Sequence, residues 1–159
     1  MSTVPITRHF RLIPEAYQKD DNPVGELWLG AQHEKSQTWD ALFDQYRVVI
    51  LAEAGAGKTY ELMWAARHLR DEGKAAFFIR IEDLSESFAT AFEIGSAGEF
   101  SAWLSGTDEA WFFLDAVDEL RLAEARAFER ALQHFADHVG PASQRIHVYV
   151  SSRPYAWRP

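Results

Sequence analysis

Val48-Val49-Ile50-Leu51-Ala52-Glu53-Ala54-Gly55-Ala56-Gly57-Lys58-Thr59 changes character twice: an apolar, β-branched run gives way to a glycine-bearing turn, then to a base and a hydroxyl. Four apolar residues without polar alternation predict a strand buried on both faces, as in parallel sheets. From Thr59 to Asp71, Leu62, Met63, Ala66 and Leu69 recur at helical spacing, and Gly73 is placed to cap the C-terminus. Strand, glycine turn and helix in immediate succession is the setting a phosphate-binding loop needs. Gly55 and Gly57 let backbone N–H groups turn inward around phosphate oxygens, and the helix adds its positive N-terminal end. Lys58 has the reach for the β- and γ-phosphates, and the Thr59 hydroxyl is suited to Mg²⁺. The candidate nucleotide-binding set is therefore Ala52, Glu53, Ala54, Gly55, Ala56, Gly57, Lys58, Thr59 and Tyr60. The general motif has glycine where Ala52 stands, so the start of the loop must tolerate a Cβ. The plain alternative is a glycine turn that binds nothing.

Outward from the loop, three further runs read as strands: Ala75 to Ile81, Trp111 to Leu114, and Ile146 to Val150. Between the first two lies Ser96-x-x-Glu99, a capping-box pattern ahead of Phe100, Trp103 and Leu104, with Gly106 closing that small helix. From Arg121 to Val139 the apolar residues Leu122, Ala125, Phe128, Leu132, Phe135 and Val139 advance by three or four until Gly140-Pro141 stops the helix. Before the loop, Trp39, Leu42, Phe43 and Tyr46 predict a short helix over Ser36 to Tyr46, with Thr38 or Ser36 as its N-cap. Strands alternating with helices at these lengths call for right-handed crossovers. The expected fold class is α/β: a three-layer core with a mainly parallel sheet and helices on both faces.

Two strand ends carry chemistry. Trp111-Phe112-Phe113-Leu114 runs into Asp115-Ala116-Val117-Asp118-Glu119, and in a parallel sheet such an end lies at the same edge as the phosphate loop. Asp115 would hold magnesium through water, because hard cations bound to phosphates keep several waters and need only one or two carboxylates. Asp118 or Glu119 would polarise a water against the γ-phosphate, or else cap the helix that begins near Leu120. Ser151-Ser152-Arg153-Pro154 follows the last strand to the same edge. There Arg153 either senses the γ-phosphate or serves as a surface partner for carboxylates.

Together the three motifs resemble the NACHT group of signal-transduction P-loop ATPases, the STAND ATPases, within the AAA+-like class. The resemblance runs from Arg47 to Pro154, about two thirds of the chain. It rests on the phosphate loop (Walker A), on a strand like Phe78-Ile79-Arg80-Ile81-Glu82-Asp83-Leu84, on Leu114-Asp115-Ala116-Val117-Asp118-Glu119-Leu120 (Walker B), and on Ser152-Arg153-Pro154. The small Ala116, where many ATPases carry a catalytic Glu, is the group's distinguishing mark. The resemblance implies Lys58 and Thr59 on phosphate and Mg²⁺, Asp115 on Mg²⁺, Asp118 or Glu119 near the attacking water, and Arg153 as γ-phosphate sensor. It implies a slowly hydrolysing switch that binds ATP or ADP with Mg²⁺ and self-associates on activation, with a role in prokaryotic defence as one setting. Members carry an effector region before the ATPase, and a lid, a winged helix and sensor repeats after it. None fits in 159 residues, and the group's fifth strand is missing, so the expectation is a truncated NTPase domain over 36–159 behind an irregular lead-in over 1–35. The competing readings are a motor-like ATPase acting on DNA or protein, a small-molecule kinase, and a non-hydrolysing binding module whose loop is vestigial.

Composition narrows the field. The 159 residues suit one domain, and 47% hydrophobic with 25% charged residues is ordinary for a globular chain. A net charge of -8 disfavours direct nucleic-acid or anionic-membrane binding. The absence of cysteine removes disulfides, thiol catalysis and the common structural zinc sites. The first residues lack a signal-peptide pattern and no run approaches the roughly 18 apolar residues of a span, so a cytoplasmic setting is expected. His134 and His138 stand at i, i+4, but Phe135 occupies the glutamate position of a zinc-protease helix. The six tryptophans read as core or partner-facing aromatics, and Asp20-Asp21 as a solvated turn.

Overall fold

The computed structural model describes residues 9–12, 36–84, 86–116 and 125–153. In chain order it has α1 (Trp39–Phe43), β1 (Arg47–Leu51), α2 (Lys58–Asp71), β2 (Ala75–Arg80) and α3 (Ile81–Leu84). A 3₁₀ turn at Phe88–Thr90 precedes β3 (Phe92–Ile94), α4 (Ala97–Leu104), β4 (Ala110–Asp115) and α5 (Ala125–Val139). A 3₁₀ segment, Gly140–Arg145, then leads into β5 (Ile146–Ser152). The strands form one sheet in the order β1-β5-β4-β2-β3. β1, β5, β4 and β2 are parallel, and β3 lies antiparallel on β2.

The two faces of the sheet bury separate cores, and the period-2 alternation of the strands sorts the side chains between them. On one face, Leu62, Ala65, Ala66 and Leu69 of α2 and Trp39, Leu42 and Phe43 of α1 pack on Phe78, Phe113 and Tyr149. On the other, Phe135 and Val139 of α5 and Phe100 and Trp103 of α4 pack on Phe77, Phe112, Leu114 and Val150. This is the three-layer α/β class the alternation predicts. β4 is buried at every position and is the central strand. β1 is an edge among the described residues, and Val49 is half-exposed on the face that α2 does not cover.

Local chemistry sets the boundaries. Ser96 caps α4: its hydroxyl accepts the Glu99 N–H at 3.2 Å and donates to the Glu99 carboxylate at 3.0 Å, the capping box foreseen from sequence. Gly73, at φ +79°, ends α2 and donates its N–H to the Arg70 carbonyl at 2.9 Å. Arg145 ties the end of α4 to the start of β5: it donates to the Trp103 and Leu104 carbonyls at 3.3 and 3.0 Å and lies over the Trp103 ring.

Four expectations need correction. The first helix stops at Phe43, so Tyr46 is outside it; its ring stacks on His147 at 4.5 Å and its hydroxyl donates to Glu109 at 3.3 Å. Thr38 has the extended N-cap backbone but makes no side-chain cap bond. Ile81 opens a helix rather than ending a strand, whereas Gly140-Pro141 does end the long helix at Val139 as expected and starts a 3₁₀ segment, proline being tolerated in a first helical turn. β3 is an additional strand. The start of the expected 121–139 helix lies partly outside the described residues.

Candidate nucleotide-binding site

Because β1, β5 and β4 run parallel, their carboxyl ends meet one edge. Leu51 is level with Ser152, Ile50 with Ser151, and Ser151 with Asp115. The Ala52–Gly57 loop leaves this edge from β1, and the Ala52 N–H continues the ladder to the Ser152 carbonyl at 3.2 Å. Gly55 and Gly57 both have left-handed backbone, with φ +76° and +82°, and Gly57 is the N-cap of α2. Those are the conformations only glycine adopts cheaply, which explains their spacing in the sequence. Ala52 brings no such strain: among the described residues, no residue other than glycine has positive φ. The Cβ at the start of the loop is therefore accommodated.

Lys58, the first residue of α2, turns its ammonium back into the loop and donates to the Ala52 and Glu53 carbonyls at 2.5 and 2.9 Å. It thus closes the loop it starts from. Thr59 is half-buried, while Tyr60 is exposed on the outer side of the helix. Glu61 accepts from the Trp39 indole at 3.2 Å, which anchors the first turn of α2 to α1.

Asp115 is the buried polar centre of this edge, at 1% exposure. By strand parity it shares a face with Trp111 and Phe113, the face that α2 covers and at whose edge the loop sits. One carboxylate oxygen, Oδ1, accepts from the Ser151 hydroxyl, and that hydroxyl in turn accepts the Ala116 N–H at 3.2 Å. The other oxygen, Oδ2, is buried and has no hydrogen-bond partner among the described residues. An anionic oxygen held this way lacks a donor, and a metal-bound water supplies one. Magnesium therefore fits the residues present. Arg80, the register partner of Asp115 on β2, is directed to Glu93 of β3 with Nε–Oε1 at 2.5 Å.

Arg153 is described, half-buried, and follows Ser152 directly at this edge. Asp118 and Glu119 lie outside the described residues, as does Pro154. Ser151 is the residue that sequence reasoning passed over: its signal, a hydroxyl in line with the acid across two paired strands, exists only once the register is known.

A parallel sheet, a glycine loop from its edge strand onto a helix, and a buried Asp two strands away decide the architecture. The fold is a three-layer α/β core with a glycine-loop strand–turn–helix at its carboxyl edge. No family model and no curated protein matches the chain. Among solved structures, the chain is similar to the replication initiator DnaA bound to AMPPCP and single-stranded DNA, with 20% identity and a TM-score of 0.46. The match covers 72% of this chain and 35% of that one.

Other polar clusters lie elsewhere in the fold. A cavity of about 560 Å³ opens at the opposite, amino-terminal edge of the sheet beside Arg70, Lys74, Glu109 and Trp111. It includes no loop residue and not Asp115, and its cations are paired, Arg70 with Glu99 at 2.5 Å and Lys74 with Glu72 at 2.8 Å. The Arg70 hydrogen bond holds the Glu99 carboxyl below the usual carboxylate range. His134 and His138 each place Nδ1 on a backbone carbonyl, of Leu84 and His134, at 2.8 Å. Among the described residues no three His, Cys, Asp or Glu side chains group to hold a metal, and no helix is long and apolar enough to cross a membrane.

Proposed function

We propose that this chain is the nucleotide-holding core of a NACHT/STAND-like signal-transduction ATPase, a switch set by Mg-ATP and reset by slow hydrolysis. The observation that carries the reading is Asp115: a buried carboxylate with one oxygen fixed and the other without a hydrogen-bond partner among the described residues, on the face and at the edge where the glycine loop starts α2. A bland helix cap would not need such an oxygen. The NACHT/STAND assignment adds the sequence resemblance, chiefly Ala116 directly after Asp115 and Arg153 after β5.

In this proposal the loop N–H groups and the Lys58 ammonium bind phosphate oxygens, Lys58 exchanging the Ala52 and Glu53 carbonyls for them. Thr59 and Asp115 hold Mg²⁺, which when bound neutralises charge on the β- and γ-phosphates. Asp118 or Glu119 orients the attacking water, and Arg153 contacts the γ-phosphate. Only ATP would engage Arg153 through that group, so ATP and ADP would favour different arrangements of the protein, with self-association following the ATP form. Adenine over guanine rests on the resemblance alone.

Hydrolysis under saturating Mg-ATP, with ADP release followed separately, tests the switch. The expected outcome is slow turnover, with ADP retained longer than the chemical step takes. Rapid, unstimulated turnover would point to a motor-like ATPase instead.

A further inference from the structure

We propose that Ser151 is the positioning residue that sets which oxygen of Asp115 faces the metal; this rests on the Mg-nucleotide reading above. Ser151 is fully buried on β5, level with Asp115 on β4. Its hydroxyl has one proton, and that proton goes to Asp115 Oδ1. A lone pair of the same oxygen accepts the Ala116 N–H at 3.2 Å, so the serine is held from the backbone side as well. The carboxylate is thereby fixed in rotation. Oδ1 is engaged by a neutral donor inside the sheet, and Oδ2 is left as the acceptor without a hydrogen-bond partner among the described residues.

The consequence is directional. A carboxylate with both oxygens open can chelate a cation side-on; one whose inner oxygen is hydrogen-bonded within the sheet presents its outer oxygen as the better acceptor. That suits Mg²⁺, which keeps its waters and is met through few carboxylate contacts. Residues that orient a metal-facing ligand through a hydrogen bond typically change metal affinity by about 10–100-fold when removed. Loss of the hydroxyl would also leave the Ala116 N–H without its acceptor, so a purely structural serine would lower stability too. Stability alone therefore does not separate the two roles.

The discriminating quantity is the ratio of ATP affinity with Mg²⁺ to ATP affinity in EDTA, measured calorimetrically on the whole chain for wild type, Ser151→Ala and Ser151→Thr. The expected result is that Ser151→Ala lowers the Mg²⁺ enhancement by about tenfold while its affinity in EDTA stays at the wild-type value, and that Ser151→Thr, which keeps the hydroxyl, restores the enhancement. A folded Ser151→Ala protein with the wild-type ratio would overturn the proposal. If Ser151→Ala does not fold by circular dichroism, Ser151→Cys replaces it: the near-isosteric thiol is a weak donor and should show the same loss of ratio. ATP binding by wild type that is lost in Lys58→Ala but indifferent to Mg²⁺ would overturn the role of Ser151 and leave the phosphate site standing. No ATP binding by folded wild type under either condition would overturn both.

Discussion

Asp115 and Tyr149 are two buried polar side chains handled in opposite ways. The Tyr149 hydroxyl shares its one proton between the Leu42 carbonyl at 2.8 Å and that of Gln45 at 3.2 Å, so it is satisfied inside the core between the sheet and α1. Burial, with Asp44 nearby, pushes its phenol well above the ordinary value of 10.0. The folded state therefore keeps a proton that the unfolded chain releases above about pH 10. Stability should be insensitive to this group below that pH and fall as pH rises past it. In an alkaline absorbance titration, one of the five tyrosines should ionise only with unfolding; Tyr149→Phe should abolish that late step. Asp115 is only half satisfied among the described residues, none of which donates to Oδ2. Neutralising it by Asp115→Asn should stabilise the nucleotide-free protein by about 1 kcal/mol while removing the effect of Mg²⁺ on ATP affinity, a trade typical of functional sites. Urea melts without nucleotide check the first part; a loss of stability in Asp115→Asn would mean that Oδ2 has no energetic cost in the folded chain.

Elements of this fold differ in how far sequence announces them. β4 and β5 are legible because central parallel strands must be apolar throughout, and the loop is legible because Gly55 and Gly57 occupy backbone conformations other residues avoid. β3 has only three residues, Phe92-Glu93-Ile94, and exists because β2 offers an edge, a fact no local pattern carries. Its exit depends on Gly95. At φ +86°, a Cβ there would sit 2.5 Å from Cδ1 of Phe77, a buried ring stacked on Phe112. Gly95→Ala should cost about 2–4 kcal/mol, from left-handed strain plus overpacking. Gly55→Ala is the control: its φ is also positive, but nothing lies within 4 Å of the added Cβ, so only the strain of about 1–2 kcal/mol applies. Equal losses in urea denaturation would show that Phe77 yields to the methyl group.

At the scale of the whole molecule, the chain order of the strands differs from their order in the sheet. After β1, α2 carries the chain over one face to β2, and α5 returns it across the other face to β5, which inserts between β1 and β4. The connection leaving β1 covers one face and the connection leaving β4 covers the other, and the candidate site lies at the carboxyl edge that these strands share with β5. Sequence motifs could name Lys58, Thr59, Asp115 and Arg153 as candidates and could put them at strand ends. Only the topology brings the loop, Asp115 and Ser151 to one edge, and only the register makes Ser151 the partner of Asp115. Asp118 and Glu119 stay with the sequence argument, since they lie outside the described residues.

Calorimetric titration of wild type and Lys58→Ala with ATP in the presence of Mg²⁺ bears on all of this at once. Lys58 is half-buried and holds the Ala52 and Glu53 carbonyls, so its replacement should lower stability by about 1–3 kcal/mol, and the melting temperature checks that the variant is folded. Saturable binding by wild type, weakened at least tenfold in a folded Lys58→Ala protein, is the predicted result, the loss of a charge-assisted phosphate contact being worth about 1.5–3 kcal/mol. Equal binding by the two proteins, or none by a folded wild type, would contradict a phosphate site at this loop.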